Sequence, residues 1–288
     1  ANDSRTVNVT LASCVNITTV TWSEGPHNVT VYVNDTAGNI NSTSISFTID
    51  STAPAIVVLF PALNNTNSSD TALDINYTVS DVEFNVDSCW YSNDSMKKNY
   101  TLTNCGNVTT VTWSEGPHNV TIWANDTLGN ERQNSTSFTI DASNPSLVVY
   151  YPTFNNTNHS TAAIDVNFTA TDTISGIESC WYSNDSRTVN TTLASCGNIT
   201  AVTWSEGPHN ITIYANDSAG NYIENSTSFT IDLTFPNINI TFPFVNNTNQ
   251  TTNTLDVNFT VFDSIGVDSC WYSNDSMDKN YTLTNCGN

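Results

Sequence analysis

The chain has very little positive charge: six Lys and Arg stand against 27 Asp and Glu, a net charge of −21. Nucleic acid and anionic membrane surfaces repel such a molecule, so neither is an expected partner. Long apolar runs are missing too. AIVVLF at 55–60 falls far short of the roughly 18 apolar residues a membrane span needs, so no direct membrane insertion is expected in this segment. No basic, apolar leader precedes Ala1, which places any signal peptide or anchor outside this stretch. There is no Gly-rich phosphate loop, no activated serine, no metal-binding helix and no run with helical periodicity. The few basic residues never recur at one register in every repeat, which argues against a lysine–asparagine cross-link. These absences predict a protein that is not an enzyme and needs no cofactor.

Neutral polarity is abundant instead, with 43 Asn and 77 Ser plus Thr among 288 residues. It comes with 7 Trp, 11 Tyr, 12 Phe and many β-branched residues, which a disordered chain lacks. TWSEGPHNVT stands at 21–30 and 112–121, and again at 203–212 with Ile211 in place of valine. Trp22, Trp113 and Trp204 share this 91-residue register, as do Asp50, Asp141 and Asp232. A solenoid unit is much shorter, whereas 91 residues suit a whole small domain. The recurring FTID marks module ends. The expected organisation is the C-terminal part of a module over 1–50, complete modules over 51–141 and 142–232, and the N-terminal part of another over 233–288. The chain thus reads as a window on a longer array, with very short linkers.

Within 142–232, turn signals arrive about every ten residues. SLVVYYP reads as a first strand, NNTNHST as a turn, AIDVNFTATD and IESCWYS as the second and third strands. NTTL is a short strand and NITAVTW follows the second cysteine. EGPHN turns into ITIYAND, SAGN turns again, and NSTSFTID closes the module. Seven or so short alternating strands with Gly, Pro and Asn turns predict an all-β fold of tandem immunoglobulin-like β-sandwich repeats of about 91 residues.

The run SCWYSNDS…TLTNCGN…WSEGPHNVTIWANDTLGN…SFTID resembles the immunoglobulin-like repeats of archaeal cell-surface proteins. It is similar also to bacterial immunoglobulin-like surface modules, which share the Ala-x-Asp-x-x-Gly-Asn turn before the last strand. The resemblance covers essentially the whole chain. It implies exposure at the cell surface and a spacer, adhesive or lattice role, and it fixes no ligand.

Six cysteines fall into pairs sixteen apart: Cys89 with Cys105, Cys180 with Cys196, and Cys270 with Cys286. Cys14 would be the second member of a pair whose first lies outside the chain. Two thiols sixteen apart with one His per module make a poor metal set, so each pair reads as a disulfide, formed in an oxidising compartment. Each bond would pin the third strand to the start of a later one.

Thirty Asn-X-Ser/Thr triplets occur, where random placement would give about 11 or 12. Asn2, Asn93, Asn184 and Asn274 share one register, and Asn8, Asn99, Asn190 and Asn280 another. Asn16, Asn107 and Asn198 follow the second cysteine; Asn28, Asn119 and Asn210 end the EGPHN block; Asn34, Asn125 and Asn216 open the Gly-Asn turn. Asn134 and Asn225 recur in the closing strand, where Asn41 lies two register positions earlier. Asn76, Asn167 and Asn258 sit in the second strand, and Asn239 stands alone in the first. Asn64 and Asn67 crowd one another, as do Asn155 and Asn158, and Asn246 and Asn249. In NVTIW, alternation turns Asn119 and Thr121 outward and Val120 and Ile122 inward. In DVNFTA, Val166, Phe168 and Ala170 point in while Asn167 and Thr169 point out. Covalent N-glycans are therefore expected partners, and a glycan coat would explain solubility with few charges and would shield sheet edges. The plainer account makes these Asn, Ser and Thr ordinary turn and strand-surface residues.

Trp22, Trp113 and Trp204 are expected in the core. In SCWYS, Cys89 and Tyr91 share a face and Trp90 takes the other. Trp90, with Trp181 and Trp271 at its register, could then meet a glycan or a neighbouring chain. His27, His118 and His209 read as turn residues, each three residues after a glutamate. Asp50, Asp141 and Asp232 close modules, and Asp126 and Asn130 recur in the Gly-Asn turn. Such oxygens near a junction could bind calcium as in cadherin-like arrays, but Asx-turn hydrogen bonds account for them without an ion.

The expected function is structural and extracellular: a heavily N-glycosylated, disulfide-stapled string forming a cell-surface filament or stalk. Neighbouring modules, or copies of the same protein, would be its partners. The alternatives are an adhesin or carbohydrate-binding array, and the spacer of a larger surface protein or surface-layer component.

Overall fold

The computed structural model describes residues 9–18, 20–82, 84–94, 99–185, 190–274 and 279–286. The chain forms two compact units. One comprises Ala1–Ser143 with Thr173–Gly176 and Ser218–Asn221, the other Asn144–Asp172, Ile177–Asp217 and Tyr222–Asn288.

In the first unit, β1 (Gly25–Asn34) and β2 (Ile40–Ile49) form an antiparallel hairpin. Seven strands follow: β3 (Ala55–Phe60), β4 (Thr66–Ser68), β5 (Asn76–Ser80), β6 (Val86–Asn93), β7 (Tyr100–Leu102), β8 (Gly116–Asp126) and β9 (Glu131–Ile140). β3 and β5 make a two-stranded sheet; the others make a five-stranded sheet in the order β4-β9-β8-β6-β7. Alternation decides what lies between them. Ile56 and Tyr77 come inward from the smaller sheet, Cys89, Tyr91, Val120, Ile122, Ala124, Phe138 and Ile140 from the larger. Each large aliphatic side chain so buried contributes about 1.5–3 kcal/mol.

The second unit repeats this plan with β10 (Ser146–Tyr151), β11 (Thr157–His159), β12 (Asn167–Thr171), β13 (Ile177–Asn184), β14 (Asn190–Leu193), β15 (Gly207–Asp217) and β16 (Tyr222–Ile231). Its core holds Leu147, Val166, Phe168, Cys180, Ile211, Ile213, Phe229 and Ile231 among others. β17 (Asn237–Phe242) pairs with β18 (Asn258–Phe262), and β19 (Cys270–Ser273) with β20 (Asn280–Leu283). The fold is therefore all-β, with tandem immunoglobulin-like sandwiches, as the alternation predicts. Among the described residues, no helix is long and apolar enough to cross a membrane.

Three local expectations need correction. NNTNHST is more than a turn: its residues 157–159 form β11, a parallel edge strand on β16. EGPHN is no turn either, because β15 begins at Gly207 and pairs Pro208 with Thr230 and His209 with Phe229. Proline is tolerated because β13 joins β15 only from Ile211 onward, so that flank of Pro208 has no partner strand to serve. NITAVTW, finally, forms no regular strand, only a bridge between Ile199 and Val166.

Tyr77 is a liability in its own core. Its ring is 6% exposed and its hydroxyl is buried without a hydrogen-bond partner; burial pushes its pKa up to about 12. The same register carries Phe168 and Phe259. Tyr77→Phe should therefore raise stability by about 1 kcal/mol in urea unfolding, because it removes an unpaired buried hydroxyl. A lower midpoint would count against this account.

Candidate functional site

Three disulfides join Cys89 to Cys105, Cys180 to Cys196 and Cys270 to Cys286. Each second cysteine sits in a single 3-10 turn with left-handed backbone, φ being 53° at Asn104 and 51° at Cys105. That turn brings the chain back to β6 just past the Cys89–Leu102 rung. Cys14 is exposed and unbonded.

Asn2 and Asn8 lie outside the described residues. None of the other acceptor asparagines is buried. The strand alternation that exposes them also builds the core, since Val120 and Ile122 beside Asn119 are 0% exposed, as is Val166 beside Asn167. Several acceptors use the carboxamide oxygen for structure. Asn64 Oδ1 accepts from the Ser137 N–H at 3.1 Å, Asn107 Oδ1 from Tyr77 at 3.1 Å, and Asn198 Oδ1 from Phe168 at 3.0 Å. In these bonds the oxygen is engaged, not the nitrogen that a sugar would occupy. Asn134, Asn216 and Asn225 differ, because their Nδ2 groups donate, to the Ile56 carbonyl at 3.1 Å, to Glu178 Oε2 at 2.7 Å and to the Leu147 carbonyl at 3.2 Å.

On the outer face of β8, Trp123 stands between Asn119 and Asn125. Trp90 pairs with it across the strands, rings parallel within 3° and centroids 6.5 Å apart. Trp181 and Tyr214 repeat the arrangement at 5.5 Å and 6°. Sequence reasoning turned Trp90 outward but missed its partner, which only strand register reveals. Trp271 is 62% exposed.

Of the tryptophans expected in the core, Trp113 and Trp204 are internal, while Trp22 is only half-buried. Trp113 is 3% exposed, donates Nε1–H to the Leu73 carbonyl at 2.8 Å, and meets Phe138 edge-on at 5.0 Å. Trp204 repeats this with Ile164 and Phe229. The histidines belong with them, not in a turn. His118 is 7% exposed and packs on Trp113 and Phe138; Nδ1 lies 2.9 Å from Asp94 Oδ2 and Nε2 2.8 Å from the Ser114 carbonyl. With both nitrogens so engaged and the ring largely enclosed, this pair ties β8 to the end of β6. His209 holds Asp185 and the Ser205 carbonyl likewise. The glutamate three residues earlier binds backbone elsewhere. Glu115 accepts from the Ala142 N–H and Glu206 from that of Leu233, each just past a module's closing Asp.

The Gly-Asn turn is an Asx turn, as expected. Asp126 Oδ1 accepts from the N–H groups of Leu128 and Asn130, and Oδ2 from the Asn130 side chain at 2.7 Å. Burial pushes the Asp126 carboxyl up, but these hydrogen bonds outweigh it and hold its pKa below the ordinary value. Asp141 is governed alike: burial raises it, while Ser175 and Ser143 lower it further.

No family model and no curated protein matches this sequence. Among solved structures, the chain is similar to fibronectin(III)-like modules of CbhA from Clostridium thermocellum, at 15% identity, covering 62% of this chain and 94% of that one, with a TM-score of 0.37. It is similar to a tetra-tandem repeat in the extending region of a large adhesion protein, at 19% identity, 83% and 70% coverage and a TM-score of 0.35. A third likeness is to Sidekick-1 immunoglobulin domains 1–4, at 11% identity, 73% and 58% coverage and a TM-score of 0.36. At these values the fold assignment rests on the strand topology itself, and the likenesses carry nothing about ligands or partners.

Proposed function

We propose that this chain is an extracellular structural protein, a string of N-glycosylated, disulfide-stapled immunoglobulin-like modules bounded near Asp50, Asp141 and Asp232, and part of a cell-surface filament or stalk. It has no catalytic role in this reading. The observation that carries the proposal is the division of labour along the strands. The middle residue of the sequon packs inside in Asn119-Val120-Thr121, Asn167-Phe168-Thr169 and Asn210-Ile211-Thr212, while the asparagine stays at the surface. Thirty such triplets on modules whose few charges are mostly negative fit a surface solvated by carbohydrate. Asn134, Asn216 and Asn225, whose nitrogens are engaged, are the acceptors least suited to carry sugar.

Intact mass of the native protein over this stretch, before and after deglycosylation, tests the proposal. The expected native mass lies several kilodaltons above the 31.4 kDa of the polypeptide. A native mass within a few hundred daltons of the polypeptide overturns it.

The stacked Trp90–Trp123 and Trp181–Tyr214 pairs favour a second reading, a carbohydrate-binding array, since flat aromatic faces suit sugar rings. Glycan-array binding that disappears in Trp90→Ala would decide for it.

A further inference from the structure

Asp50, Asp81 and Asp126 bring carboxylate oxygens from three separate segments of the first unit within 4.8 Å of one another. Asx-turn hydrogen bonding explains Asp126, and Asp81 Oδ1 accepts from the Phe84 N–H at 2.9 Å. Asp50 is not explained in this way. It is 9% exposed; Oδ1 accepts from the N–H and hydroxyl of Thr52, but Oδ2 is buried with no hydrogen-bond donor. Among the described residues, no Lys, Arg or His pairs with Asp50 or Asp126. A buried carboxylate oxygen without a hydrogen-bond donor, on a side chain clustered with two further carboxylates, is costly unless something positive completes it.

Asp141, at the same register as Asp50, shows what completion from within the protein looks like. Its Oδ2 accepts from the Ser175 N–H at 3.1 Å and the Ser175 hydroxyl at 2.6 Å. The residue at the Ser175 register beside Asp50 is Phe84, which has no hydroxyl to give.

We propose that Asp50, Asp81 and Asp126 bind a calcium ion. Calcium takes oxygen ligands at about 2.3–2.6 Å in flexible geometry, so oxygens on one ion lie up to about 5 Å apart. The spread of this trio fits that limit. The ion supplies two positive charges to three carboxylates, and Asp50 Oδ2 gains the partner it lacks. It joins the end of β2 to the segment after β5 and the β8–β9 turn, stiffening the boundary between the first two modules. The site is independent of whether the asparagines carry sugar.

Calcium titration of the full chain by calorimetry, beside Asp81→Asn and Phe84→Ser, tests the assignment. Asp81→Asn keeps the oxygen that the Phe84 N–H needs and removes one ligand charge. The wild type is expected to show a site with a dissociation constant of about 10⁻⁴ to 10⁻³ M, as in extracellular modules. Asp81→Asn should weaken that site about tenfold or more, on the premise that affinity follows ligand charge. Phe84→Ser should also weaken it, by offering Asp50 a competing donor. Calcium should raise the melting temperature of the wild type by several degrees and leave that of Asp81→Asn unmoved. Circular dichroism without calcium should show both variants folded. No binding at millimolar calcium, or binding that Asp81→Asn leaves intact, overturns the assignment.

Discussion

Replacing Trp113 by alanine should cost the second module about 3–5 kcal/mol, the range for deleting a buried aromatic side chain, and a further ~1–3 kcal/mol for the Leu73 carbonyl left without its indole donor. Those losses approach the whole stability of an ordinary domain, about 5–15 kcal/mol. The ring is 3% exposed and closes one end of the sandwich against His118 and Phe138. The Trp113 backbone N–H separately ties down the loop before β5 by donating to the Thr71 carbonyl at 2.8 Å, a bond that alanine keeps. Trp113→Phe should fall between, keeping apolar volume while losing the indole donor. Trp22→Ala is the internal comparison. Trp22 meets Phe47 edge-on at 5.0 Å as Trp113 meets Phe138, but it is only half-buried, so its truncation should cost clearly less. Urea unfolding followed by fluorescence checks the order, and equal losses for Trp22→Ala and Trp113→Ala would show that burial is not the deciding quantity.

Removing the Cys89–Cys105 bridge should destabilise the same module by about 3 kcal/mol. The bond closes a loop of sequence separation 16, and a cross-link of that length restricts the unfolded chain by about that amount in the chain-entropy model. The loop contains β7, an edge strand of three residues, too short to hold its place by pairing alone. Cys89→Ala with Cys105→Ala is the cleaner variant, because Cys89 is 0% exposed and a serine there would bury an unpaired hydroxyl. The expected result is a lower urea midpoint with an unchanged far-UV spectrum. A shift below about 1 kcal/mol would mean that β7 is held by its own packing and that the bridge is incidental.

How far the sequence could be read depended on how local each signal was. Alternation in NVTIW and DVNFTA placed Val120, Ile122, Val166 and Phe168 inside and kept Asn119 and Asn167 out of the core, because side chains in a strand change sides at every residue whatever the partner. Thr121, expected outward, is instead covered and only 5% exposed. The outward turn of Trp90 followed from the same rule; its stacking on Trp123 did not, since register between β6 and β8 is a property of two segments together. EGPHN misled because Gly and Pro are local turn signals. The ladder with β16 continued across them at a position where one flank had no strand. β4 and β11 were hidden for a related reason: three polar residues in parallel pairing carry no periodicity.

By itself the sequence determined the repeat, the all-β class, the cysteine spacing and the exposure of the acceptor asparagines, because each of these is written in a fixed interval along one chain. Only the tertiary structure decided that His118 sits on Asp94 inside an aromatic corner, that Trp90 faces Trp123, and that Asp50 keeps an unsatisfied oxygen beside Asp81 and Asp126. These are meetings between segments far apart in sequence, and packing, not periodicity, sets where they fall.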